Sequence, residues 1–283
     1  MFDRREKNAQ IFQDTCEMIR ESKRLQEAVK NSIHNQKMYP HGFADTDLKN
    51  KNLIAKKGEI VVSEKRTLEA AEVYAKADKK VCVLNFASAT NPGGGVKNGS
   101  SAQEECICRC STLYPCINTE EMWMQFYEPH RKTNDPLYNN DVIYTPGVSV
   151  IKSDISFPER LAERDWYEVN VLTCAAPNLR RVPSNEMNPF AGESAADISK
   201  NEYRQIMTDR IAQIFYVAET VKTDVLILGA FGCGAFRNPP EVVAQLFEEA
   251  TEKYRTSFDT IEFAVFHTPK DTKNYDAFAE VFQ

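Results

Sequence analysis

Between residues 8 and 33, Phe12, Cys16, Ile19, Leu25, Val29 and Ile33 fall near helical spacing, predicting one or two amphipathic helices packed on the main body. Residues 34–58 are polar and mixed, and read as a connection. After that the pattern alternates. EIVVS (59–63) predicts a strand and TLEAAEVYAKA (67–77) a helix. VCVLNF (81–86) predicts a strand, followed by a glycine-rich loop and a helix over about 102–113. VIYT (142–145) and VSVIKS (148–153) flank Pro146-Gly147, which predicts a hairpin. YEVNVLTCAA (167–176) is a further strand and 196–221 a long helix. DVLILGA (224–230) is a strand, again with a glycine-rich loop after it, and Pro239 and Pro240 suit the first turn of a helix over 240–255. IEFAVFH (261–267) predicts the last strand, before a short closing helix.

Strands alternating with helices imply a parallel or mixed sheet covered on both faces. VCVLNF and DVLILGA are nearly all apolar, as central strands of such a sheet are. No repeat, low-complexity tract or linker divides the body. With 283 residues, 42% of them hydrophobic and 27% charged, the chain has ample material for a core. The net charge of −6 argues against a general nucleic-acid binder, but it leaves room for a small anionic ligand held by backbone N–H groups. No apolar run approaches the roughly 18 residues that span a bilayer. The charged start MFDRREKNAQ lacks a signal-peptide core, and the eight scattered cysteines read as reduced thiols of a cytoplasmic protein.

Ligands collect at the carboxyl ends of strands in such sheets, and both glycine loops, NPGGG and GAFGCGAF, begin there. Glycine permits φ > 0 and close approach of backbone to a ligand. The first loop leads into Gln103, Glu104 and Glu105 at a helix start. Two acids in a first turn are by themselves ordinary, since they complement the helix dipole. Neither loop matches G-x-x-x-x-G-K-[ST], and GAFGCG lacks the G-x-G-x-x-G spacing, so neither a triphosphatase P-loop nor a dinucleotide fold is supported.

GGG, seven residues, then QEE resembles the signature of the poly(ADP-ribose) glycohydrolase family. VLNFASATNPGGG and LGAFGCGAFRNPP resemble its bacterial, macrodomain-like branch, as does the helical N-terminal segment. The resemblance implies an α/β fold: a macrodomain-like three-layer α/β/α sandwich with a mixed central sheet. It also implies an N-terminal helical extension over 1–50 and a catalytic domain over 51–283. Its implied activity is hydrolysis of ribose–ribose O-glycosidic bonds in poly(ADP-ribose), mainly from the chain end. Glu105 would be the general acid and base, with Glu104 orienting ribose hydroxyls. Asn91 and the backbone of Gly93, Gly94 and Gly95 would line the ribose site, and Gln103 would also bind ADP-ribose. Gly232, Cys233, Gly234, Ala235 and Phe236 would wrap the diphosphate, Phe236 also packing on the ribose. No metal and no cofactor is required. The implied partners are poly(ADP-ribose) or an ADP-ribosylated macromolecule, with ADP-ribose as product and no membrane. The alternatives are a hydrolase of another ADP-ribosyl linkage, such as mono-ADP-ribose on protein or nucleic acid, and a non-catalytic ADP-ribose-binding module.

Other residues carry weaker signals. Cys106, Cys108 and Cys110 recur at a spacing of two, which on a helix points side chains apart rather than at one metal. Arg237 is either a phosphate contact or a solvated arginine. Tyr114, Trp123, Phe126, Tyr127 and Tyr138 are candidates for core packing or for stacking on adenine.

Overall fold

The computed structural model describes residues 3–42, 57–185 and 188–283. Its elements run, in chain order, α1 (Arg4–Glu21), α2 (Lys23–His34), β1 (Lys37–Tyr39), β2 (Glu59–Ser63), α3 (Thr67–Ala75), β3 (Val81–Phe86) and α4 (Gln103–Cys110). Three short helices follow, α5 (Leu113–Ile117), α6 (Glu120–Met122) and α7 (Glu128–Thr133), with one π turn over Trp123–Tyr127. The remainder is β4 (Val142–Val150), β5 (Tyr167–Cys174), α8 (Lys200–Thr220), β6 (Val225–Leu228), α9 (Pro240–Tyr254), β7 (Thr260–Ala264) and α10 (Lys273–Phe282).

All seven strands form one sheet in the order β1-β4-β5-β3-β6-β7-β2. The five strands from β5 to β2 pair in parallel, and β4 and β1 add an antiparallel edge. The sheet is therefore mixed, and β3 lies at its centre, with Val83 opposite both Val171 and Ile227. Alternation along each central strand divides the apolar side chains between two cores. Cys82, Leu84, Leu226 and Leu228 pack with Ile211, Phe215 and Phe247 of α8 and α9. Val81, Val83, Val225 and Ile227 pack with Leu68 of α3, Ile107 of α4 and Phe12 of α1. This is why VCVLNF is apolar apart from Asn85: neither of its faces meets water.

Three expectations are corrected. Residues 142–150 do not form a hairpin; they form one strand, β4, whose pairing with β5 shifts register between Thr145 and Val148. Pro146 offers no N–H and Gly147 has φ +63°, features that suit a turn and equally a bulge within an irregular ladder. The flanking apolar runs both find β5, which decides for the bulge. The predicted connection over 34–58 contains the edge strand β1, while residues 43–56, including the expected boundary at 50 and 51, lie outside the described residues. The predicted helix over 102–113 ends at Cys110; Ser111 turns extended, and α5 begins at Leu113.

Candidate active site

The loop after β3 is shaped by its glycines. Gly93 and Gly94 have φ of +69° and +56°, a region that side chains other than glycine's enter at a cost. A Cβ on Gly94 would lie 2.5 Å from Glu105 Oε1 and 3.1 Å from Glu104 Oε2. The main chain is thus pressed against both acids. Turn bonds hold the loop there, from Gly94 N–H to Asn91 O at 2.9 Å and from Ser100 N–H to Gly95 O at 3.1 Å.

Gln103 locks the start of α4 onto the sheet. Its Nε2 donates to Leu84 O at 2.7 Å and to Thr67 Oγ1 at 3.0 Å, and its Oε1 accepts from Phe86 N–H at 2.9 Å. Both ends of this amide are engaged by the protein, so its side chain fixes the helix that presents the acids. Glu104 is 3% exposed and Glu105 7%. Glu104 accepts from Ser88 N–H at 2.8 Å and from Asn85 Nδ2 at 3.4 Å. Glu105 Oε1 accepts from Gly95 N–H at 2.9 Å, whereas its Oε2 is buried without a protein partner. Burial, and then the neighbouring Glu105, hold the Glu104 carboxyl well above the usual range. Burial also raises Glu105, against the lowering effect of the Gly95 N–H and the Arg109 charge. The pair consists of one anchored carboxyl and one with a free oxygen, both shifted above the ordinary carboxylate range by burial.

Asn91 is gripped from two sides. Arg131 donates to its Oδ1 at 2.5 Å, and its Nδ2 donates to Asn188 Oδ1 at 3.0 Å. The Arg131 guanidinium lies 4.6 Å from the centroids of both Trp123 and Phe190, and its Nε donates to Thr90 O at 2.7 Å. Asn188 and Arg131 are remote from Asn91 in sequence, and no local spacing signals their approach.

The loop after β6 has a different construction. Gly232 has φ +76°, and a Cβ there would meet Ala176 Cβ and Asn238 Nδ2, each at 2.5 Å. Buried Asn238 ties the loop down, donating to Pro177 O at 2.8 Å and Gly232 O at 3.0 Å, and accepting from Tyr203 OH at 3.0 Å. At Gly234 a Cβ would meet nothing within 4 Å. Cys233 packs against the core, and burial pushes its thiol up to about 12, so it is no reactive thiolate.

The two loops flank one cleft of about 1030 Å³ across the carboxyl ends of β3, β6 and β7. Asn91, Gly94, Gly95, Gln103, Glu104, Glu105, Gly232, Gly234, Ala235 and Phe236 line it; Gly93 and Cys233 stand behind the lining, and Arg237 also stays out. None of Tyr114, Trp123, Phe126, Tyr127 and Tyr138 lines the cleft, which corrects the idea that one of them stacks on adenine. Phe126 and Tyr127 are fully buried, Tyr114 packs edge-on against Phe12, and Trp123 faces Arg131. The exposed ring at the cleft belongs instead to Phe266, 47% exposed just beyond β7, with the Arg66 guanidinium 3.8 Å from its centroid. The three cysteines of α4 diverge: Cys106 Sγ lies 3.7 Å from Ser101 O, Cys110 Sγ 3.5 Å from Ser153 O, and Cys108 faces Gly93.

Comparison with known proteins agrees with this geometry. The family model for the catalytic domain of microbial-type PARG matches residues 9–153. The crystal structure of poly(ADP-ribose) glycohydrolase from Thermomonospora curvata superposes with a TM-score of 0.85 at 30% identity, covering 98% of this chain and all of that one. The same enzyme bound to the inhibitor ADP-HPD gives 0.83 at 30% identity, with the same coverage. The poly(ADP-ribose) glycohydrolase from Deinococcus radiodurans in complex with ADP-ribose gives 0.75 at 27% identity, covering 89% of this chain and 96% of that one. No curated protein sequence matches significantly. By sequence and by fold, the chain belongs to the microbial-type poly(ADP-ribose) glycohydrolase family.

Proposed function

We propose that the protein hydrolyses the ribose–ribose O-glycosidic bonds of poly(ADP-ribose), releasing ADP-ribose mainly from the chain end. The observation that carries this reading is the free Oε2 of Glu105, buried at the cleft beside the glycine turn on a carboxyl whose hold on its proton burial strengthens. A reader of ADP-ribose needs no such proton donor.

In the proposed reaction the Glu105 carboxyl gives its proton to the leaving ribose oxygen as the bond to the anomeric carbon breaks through an oxocarbenium-like state. The resulting carboxylate takes a proton from water as that water attacks the same carbon. One water is added across the bond, and Glu105 is returned to its acid form. Glu104, deeper and anchored by Ser88 N–H, orients the ribose hydroxyls. Gly95 N–H steadies the Glu105 carboxylate while the proton is away. The turn from Gly232 to Phe236 takes the diphosphate: among the described residues, the N–H groups of Gly234 and Ala235 have no protein acceptor. Phe266 supplies an exposed ring for the adenine.

The helices before residue 50 are proposed to act as an extension of the catalytic unit over 51–283. All eight cysteines are free, which fits a reducing compartment, and the cytoplasm is the proposed site of action. Among the described residues no helix is long and apolar enough to cross a membrane. The test is chain-length analysis of labelled poly(ADP-ribose) after incubation. Release of monomeric ADP-ribose from the chain end supports the reading. Binding without shortening would make the protein a reader, and cleavage confined to mono-ADP-ribosylated targets would assign it another linkage.

A further inference from the structure

The cleft extends beyond the space between the two glycine loops. On the face of the sheet that carries α1, α3 and α4 it has a lobe lined by Arg4, Arg5, Asn8, Ser100, Ser101 and Asp154. The lobe adjoins the reacting group through one loop. Ser100 N–H donates to Gly95 O at 3.1 Å, and Gly95 N–H holds Glu105.

Two buried polar atoms in this lobe lack partners. Asn8 is 2% exposed; its Nδ2 donates to Gly99 O at 3.0 Å, and its Oδ1 is left over. Asp154 is 7% exposed; its Oδ2 accepts from Leu68 N–H at 2.9 Å, and its Oδ1 is left over. Buried polar atoms are ordinarily paired, so two orphans lining one cavity mark a place where a polar ligand completes the set. The lobe also carries two guanidinium groups, from Arg4 and Arg5. Arg4 and Arg5 are exposed in the first turn of α1, and among the described residues neither guanidinium has an acidic partner. Cations at a helix N-terminus oppose the helix dipole, so the fold gains nothing from them there. In a chain of net charge −6 they stand out as a local attraction for an anion.

If the terminal ADP-ribose fills the space between the glycine loops, the rest of the polymer leaves from the bond beside Glu105. It carries a further diphosphate and further ribose hydroxyls. We propose that the lobe binds the penultimate ADP-ribose unit, the leaving group of the reaction, with Arg4 and Arg5 on its diphosphate and Asn8 and Asp154 on its ribose hydroxyls. This inference rests on the glycohydrolase reading, and it makes the lobe a determinant of preference for polymer over single units.

The experiment uses the full chain, long poly(ADP-ribose) as substrate and free ADP-ribose as ligand. In Arg4→Ala/Arg5→Ala, kcat/KM on polymer falls about fivefold to tenfold, chiefly through KM, and its salt dependence flattens. ADP-ribose affinity by calorimetry stays within about twofold, which also reports that the variant is folded. Arg4→Glu/Arg5→Glu goes further in the same direction. Unchanged polymer kinetics in both variants would overturn the lobe assignment alone, as would a parallel loss of ADP-ribose affinity. A wild-type protein that binds ADP-ribose and leaves polymer intact would overturn the glycohydrolase reading and this inference with it.

Discussion

In the turn after β3, glycine is required by what the protein itself places there: positive φ at residues 93 and 94, and carboxyl oxygens where a side chain would begin. In the turn after β6 that requirement holds at Gly232 and lapses at Gly234, where a side chain would meet nothing. The first turn is packed by the protein against its own acids. The second is packed at its root and bare at its tip. The same residue type is thus demanded by internal packing in one loop and by nothing inside the folded chain at the tip of the other.

The largest expected effect tests the acids. Glu105→Gln keeps size and loses the proton; turnover of poly(ADP-ribose) should fall at least about a hundredfold, with ADP-ribose affinity within about tenfold by calorimetry. Unchanged turnover would remove Glu105 from the mechanism. Next comes Gly94→Ala, which combines a strained φ with a methyl against Glu105 Oε1. The folded state should lose about 1–2 kcal/mol on thermal unfolding, and turnover should fall about tenfold or more. Gly234→Ala turns the comparison around. Its stability should stay within about 0.5 kcal/mol of wild type while ADP-ribose affinity drops about tenfold. Equal affinity would mean that the bare tip does not meet the ligand.

The pH dependence isolates the acidic pair. Both carboxyls bind protons more tightly folded than unfolded, so folding stability should decline as pH rises from the ordinary carboxylate range through their raised values. Glu104→Gln/Glu105→Gln should flatten that decline in thermal midpoints measured against pH. Turnover should likewise have an alkaline limb, set by loss of the Glu105 proton. The smallest effect is expected for Cys233→Ala: its thiol faces the core, and turnover should stay within about twofold.

Whatever rests on contiguous residues could be read from the chain. The glycines, the helix start and Glu104-Glu105 occupy one short stretch, and the alternation of apolar strands with helices implied the layered sheet around it. What escaped depends on distant approach. Arg131 meets Asn91 from 40 residues away and Asn188 from 97 residues away. Arg4, Arg5 and Asn8 reach the cleft from the other end of the domain. Aromatic residues near the signature could have served the core or the adenine; Phe126 and Tyr127 are in the core, Trp123 faces Arg131, and the exposed ring at the cleft comes from beyond β7. Pro146-Gly147 misled for a related reason, since a turn signal does not say whether the next segment returns to its own strand or continues along a neighbour.

Gly99 touches α1 through the main chain of Arg5: a Cβ on the glycine would fall 1.9 Å from that carbonyl oxygen. The helix therefore serves as a stop for the glycine-rich turn after β3 whatever side chain it carries at that point. The helix cannot shift even where the side chain at position 5 changes, so a chimera that borrows α1 from a relative must borrow residues 95–102 with it.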